Sequence, residues 1–172
     1  PYLQNVKENE ATIVWEADKP SVGWVELAPD DGTHYYGEER PKYFDTTNGV
    51  KNTSLLHTVK VKGLTPGTTY RYRIYAQEVL SHEGISVIYG RVAASDVYKK
   101  KALTFTTCDS QKKETSFAMI NDIHGREGII TKLLNAAGYK DKDLIIFNGD
   151  MVSVFQDRET IFNGFMKESI DL

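Results

Sequence analysis

Cysteine is almost absent. A single thiol, Cys108, cannot form a disulfide within the chain. It reads as a partly buried small hydrophobe. One thiol suits a reducing compartment, and equally a bacterial secreted protein that needs no bridges. Long apolar runs are absent too. The apolar runs are four or five residues long, against the roughly 20 that a membrane-crossing helix needs. They have strand length, and no membrane span is expected. The chain starts at Pro1 with no initiator Met and no signal-peptide pattern. It reads as a trimmed or mature form whose address was cut away, with a secreted, periplasmic or surface-exposed bacterial location expected. A strong charge bias is also missing. The net charge of −3 is too mild to call for a polyanion partner, so no nucleic acid is expected. Residues 1–108 carry 13 basic and 13 acidic side chains, and residues 109–172 carry 8 and 11. The whole deficit lies in the second stretch.

What the first hundred residues do have is alternation. "ATIVWEA", "VGWVELA", "LLHTVKVKGL", "YRYRIYAQ" and "ALTFTT" alternate with period two and are rich in β-branched and aromatic residues. That pattern predicts strands covered on one face. In "LLHTVKVKGL", His57, Val59 and Val61 oppose Leu56, Thr58, Lys60 and Lys62. In "YRYRIYAQ", Tyr70, Tyr72, Ile74 and Ala76 oppose Arg71 and Arg73. Turn signals at "DDG", "TTNG" and "TPG" separate the runs. Short strands with such punctuation predict an antiparallel β-sandwich. "GLTPGTTYRYRI" resembles the tyrosine corner of fibronectin type III-like sandwiches, where a Tyr entering a strand bonds back to the preceding turn. Tyr70 is that residue here.

The polar stretch "DSQKKETS", 109–116, predicts a linker. The rhythm then changes. "SFAMI" and "DLIIF" are continuous apolar runs, as expected of strands buried on both faces. Between them "REGIITKLLNAAG" has helical spacing. Ile129, Ile130, Leu133, Leu134 and Ala137 share one face, and Gly138 caps the C-terminus. "DRETIFNGFMKESIDL" predicts a second helix with Ile161, Phe162, Phe165, Met166 and Ile170 inward, and Asp157 and Glu159 near its positive end. Strand, helix, strand, helix is a βαβα unit, but two strands cannot cover their own faces and edges. The predicted organisation is a sandwich over 1–108, a linker over 109–116 and the incomplete opening of an α/β domain over 117–172.

The chemistry gathers at the strand ends. Ligands of open parallel sheets bind outside the carboxyl ends of the strands, and here those ends read "NDIHG" and "NGD". On an extended backbone residues i and i+2 point the same way. Asp122 and His124 can therefore converge, and the crossover brings Asp150 alongside. Carboxylate and imidazole together suit Zn, Mn or Fe better than Ca. A lone Asp150 would more simply cap a helix or make a turn. The joint D-x-H and G-D pattern favours a metal site.

"DIHG" followed by "NGDMVS" resembles the first two motif blocks of the calcineurin-like metallophosphoesterases. "PYLQNVKENEATIVWEADKP" resembles the fibronectin III-like N-terminal domain of purple acid phosphatase-type enzymes. The resemblance implies a parent phosphoesterase with two divalent or trivalent transition metal ions. It implies Asp122 and His124 as first-site metal ligands and Asp150 as the bridge. In such a parent a metal-activated hydroxide attacks a phosphate ester, and the sandwich packs on the catalytic domain. His124 stands where purple acid phosphatases proper resemble Gly, and Ser153 where they resemble Tyr, which favours the broader family. The third block, G-N-H-[DE], and the later histidines are absent from the chain. With no complete catalytic set, the 172 residues alone are expected to bind metal weakly or not at all and to be inactive.

A rival reading makes the sandwich a protein- or carbohydrate-binding module with a structural α/β appendage. Nucleotide binding ranks low, because "DIHGRE" lacks a glycine-rich phosphate loop. His34 and His82 sit in polar turns, and His57 in an alternating strand. Each reads as structural or surface.

Overall fold

The computed structural model describes residues 1–96, 102–126, 128–153 and 158–167. The chain divides into two compact units, Pro1–Ser110 and Gln111–Leu172.

The first unit is a β-sandwich. Its strands are β1 (Tyr2–Gln4), β2 (Glu10–Pro29), β3 (Lys42–Phe44), β4 (Thr46–Thr47), β5 (Val50–Lys51), β6 (Thr53–Lys62), β7 (Thr69–Glu83), β8 (Ser86–Ala94) and β9 (Leu103–Thr106). The long β2 organises it. Its first half lies between β1 and β6, and its second half between β3 and β7. The pairing is antiparallel throughout, with a register shift between Glu16 and Ser21 where β2 passes from one layer to the other. β7 continues the second layer by pairing with β8 and β9. β4 and β5 form a separate small hairpin.

The period-two pattern explains the core. Ala11, Ile13 and Trp15 from the first half of β2 meet Val25 and Leu27 from its second half, with Val59 and Val61 of β6, Tyr72 of β7 and Phe105 of β9. Each fully buried Val or Ile side chain contributes about 1.5–3 kcal/mol. Opposite faces of β7 behave as the alternation predicts. Tyr70, Tyr72 and Ile74 join the core, while Arg71 reaches the carbonyls of Pro29 and Thr33. The tyrosine corner is present: the Thr65 backbone N–H donates to the Tyr70 hydroxyl at 2.9 Å.

The second unit contains β10 (Phe117–Ile120), α1 (Ile129–Ala136), β11 (Leu144–Phe147) and α2 (Arg158–Ile161). β10 and β11 pair in parallel with α1 between them in sequence. Gly138 takes the left-handed conformation (φ 63°) just past the helix, as its capping role requires. Three expectations need correction. Phe117 and Met119 are 55% and 54% exposed while Ala118 and Ile120 are buried. β10 is thus covered on one face, because α1 packs on that side alone among the described residues. On α1 only Ile130 and Leu134 are fully buried. Leu133 and Ala137 are exposed, so the apolar stripe is narrower than its spacing suggests. The second helix is not regular. α2 gives way to a wider π-turn over Phe162–Met166, from which Phe165 packs edge-on against Phe147 at 5.0 Å. Asp157, Ile170 and the lysines 99–101 lie outside the described residues.

Candidate functional site

The parallel register sets Phe117 against Leu144 and Ile120 against Phe147, so both strands finish at one edge. Hydrogen bonding continues beyond them. Asn148 N–H donates to the Ile120 carbonyl at 2.8 Å, and Asp122 N–H to Gly149 at 3.3 Å. His124 N–H donates to Asp150 at 2.9 Å, and Gly125 N–H to Met151 at 2.8 Å. The Ser153 hydroxyl adds a bond to the His124 carbonyl at 3.1 Å. Ile123, Met151 and Val152 are buried beneath these loops. Apolar anchors and backbone bonds thus hold the two motif segments side by side, with the polar side chains outward.

Asp122, His124 and Asp150 all have left-handed backbones, with φ of 63°, 54° and 50°. Among the described residues only Asn5 and Asn48 otherwise combine positive φ with a side chain. Such a conformation costs roughly 1 kcal/mol or more per non-glycine residue and persists only where its surroundings over-determine it. All three residues proposed from sequence carry this strain. The geometry that brings Asp122 and His124 together therefore differs from the extended strand end expected. The turn joins them: Asp122 Oδ1 lies 2.6 Å from His124 Nε2, with side chains 68% and 42% exposed.

The third residue is not gathered with them. No three His, Cys, Asp or Glu side chains among the described residues are placed to hold a metal ion. Two carboxylates and one imidazole, two of them bonded to each other, are too few donors to complete a dinuclear centre by themselves.

A second polar group lies inside the sandwich, around a histidine whose strand position reads as structural. His57 is completely buried in the sandwich. Its Nε2 lies 2.8 Å from the Ser21 hydroxyl, and its Nδ1 lies 3.2 Å from Asp45 Oδ2. The signal was its place on the inward face of β6 with Val59 and Val61. Burial holds the imidazole below its ordinary pKa, against the opposing pull of Asp45.

Comparison with known proteins bears on both units. The profile described as the purple acid phosphatase N-terminal domain matches residues 2–102. The chain belongs to that family. Its sandwich is the family's N-terminal domain, and the match covers more than half of the chain. No curated protein matches it significantly. Among solved structures it is similar to a purple acid phosphatase isolated from yellow lupin (Lupinus luteus) seeds, at 13% identity and a TM-score of 0.54. That alignment covers 87% of this chain and 28% of the lupin chain, so the chain spans under a third of that protein. A computationally redesigned β-sandwich protein is also similar, at 19% identity and a TM-score of 0.37, over 63% of this chain and 90% of the other.

Proposed function

We propose that the chain is the N-terminal part of a phosphate-ester hydrolase. On this reading residues 1–108 are the sandwich domain, 109–116 a linker and 117–172 the first strands and helices of a metallophosphoesterase domain. The division into two compact units supports that organisation. The observation that carries the reading is the order of features. A purple acid phosphatase N-terminal domain over residues 2–102 precedes a parallel strand pair whose adjoining carboxyl ends bear D-x-H and G-D. The strained backbone at Asp122, His124 and Asp150 supports their assignment as metal ligands. A working centre needs further donors, which the described residues do not supply. The binding-module alternative has no comparable support. An address outside the cytoplasm accompanies the proposal, and cell fractionation checks it.

The test is hydrolysis of p-nitrophenyl phosphate by the natural protein that carries this chain, purified with and without added Mn, Zn or Fe. Metal-dependent hydrolysis that falls at least 100-fold in Asp150→Asn is expected. Undiminished hydrolysis in that variant would remove Asp150 from the site. No hydrolysis by the metal-replete natural protein would remove the function.

A further inference from the structure

Ser21, His57 and Asp45 have the order of a hydrolytic triad, but the ring is wholly buried and Ser21 is 2% exposed. No substrate carbonyl reaches the hydroxyl, so the group must act within the fold.

What it joins is specific. Ser21 lies where β2 enters its second layer, His57 is on β6, and Asp45 begins the segment leading into the β4–β5 hairpin. Asp45 fastens that segment. Its N–H donates to the Gly23 carbonyl at 3.0 Å, and its own carbonyl accepts the Asn52 N–H at 2.9 Å. Its Oδ1 accepts the Asn52 side-chain amide at 2.8 Å, and Oδ2 faces His57. The hairpin residues between are exposed. We propose that residues 45–52 form an acid-released flap, latched shut by the neutral His57 ring between Asp45 and Ser21.

The hydrogen-bond arithmetic favours the neutral ring. Nδ1–H donates to Asp45, and Nε2 accepts the Ser21 hydroxyl proton. Adding a proton at Nε2 reverses that second bond. The Ser21 proton must then turn to the Ser54 carbonyl, which lies 3.5 Å away, at the limit of a useful contact. A cation would also be sealed from water with one carboxylate beside it. From β2 the ring meets Trp15 and Gly23, which carry no charge. Asp18, Lys19, Glu78 and Arg91 line a cleft that Ser21 also borders, with Lys19 and Glu78 paired at 2.8 Å. Asp45 is therefore the charged group that faces the ring. Lifting residues 45–52 wets the ring and leaves the apolar core of β2, β6 and β7 assembled.

Amide hydrogen exchange on the 172-residue chain tests this. With intrinsic rates corrected for pH, exchange at the Asp45 amide, whose bond to the Gly23 carbonyl must break for the flap to lift, should rise by up to about tenfold per pH unit below about 6.5. It should stay faster than at Val59 and Val61 throughout. His57→Gln should abolish the acid slope at Asp45. Should that variant not fold, the His57 ring titration by NMR in the natural sequence decides. Ring protonation without loss of Asp45 protection overturns the latch. So does exchange at that amide that matches Val59 and Val61, which would mean opening by global unfolding alone.

Discussion

Gly23→Ala is the sharpest test of the packing around His57. A β-carbon at position 23 would meet His57 Cγ at 2.5 Å, His57 Nδ1 at 2.6 Å and Trp15 Cζ2 at 2.8 Å. Ordinary carbon contacts sit near 3.5–4.0 Å, so the overlap approaches an ångström on three atoms. The ring cannot retreat freely, because Ser21 and Asp45 hold both of its nitrogens. Trp15 is itself a core residue. Overpacking of this kind costs about 1–3 kcal/mol, and the pinned ring places this case near 3. Both tryptophans, Trp15 and Trp24, lie in the first unit, so fluorescence-detected urea unfolding reports the sandwich alone. With a urea m-value of about 1.5 kcal/mol/M, the midpoint should fall by about 2 M with m unchanged. The same change made in His57→Ala should cost much less, since the clashing ring is gone. A Gly23→Ala midpoint within about 0.3 M of the natural protein would refute the packing argument. Equal costs in the two backgrounds would show that the ring is not what the methyl group meets.

Tyr70→Phe removes the acceptor of the Thr65 N–H and should cost about 1 kcal/mol in the same urea experiment. Asp122→Gly, His124→Gly and Asp150→Gly each relieve a left-handed backbone. Far-UV circular dichroism should find each variant as stable as the natural chain, or up to about 1 kcal/mol more stable. A loss above about 1 kcal/mol in any of them would mean that its side chain serves the fold. The side-chain bond from Lys112, helped by the Ser116 N–H, holds the Asp143 carboxyl at about 2. Because that value is depressed, its contribution is complete above about 4 and is lost as the pH falls toward 2. Carboxyl NMR titration should therefore place Asp143 well below its ordinary value, and Lys112→Met should return it most of the way. Calorimetric titration of the 172-residue chain with Mn or Zn should show no two-ion stoichiometry, and two tight ions per chain would contradict the donor arithmetic.

The sandwich was legible because its information is local. Period two fixed which residues of β6 and β7 turn inward, and Thr-Pro-Gly before Tyr70 announced the corner. What did not show was the unbroken run of β2. A register shift between Glu16 and Ser21 lets one strand serve two layers, where the alternation shows only two separate runs, "ATIVWEA" and "VGWVELA". In the second unit, continuous hydrophobicity predicts burial on two faces. Phe117 and Met119 show that such a run can equally be a strand with one face uncovered among the described residues. The motif residues were legible by type and spacing. Their left-handed backbones were not, since Asp and His adopt that conformation more readily than most side chains but far less often than glycine. The role of His57 was hidden for a different reason. Its partners, Ser21 and Asp45, are 36 and 12 residues away, and no periodicity links them.

The unbroken β2 has a mechanical consequence. In a sandwich whose layers are joined by a slack loop, a pull on one layer can peel it from the other. Here tension along β2 is carried straight from the β1–β6 side to the β3–β7 side, and both are loaded in shear at once. Rupture then demands that ladders on both sides of the strand fail together. Such a domain would transmit force as a stiff strut.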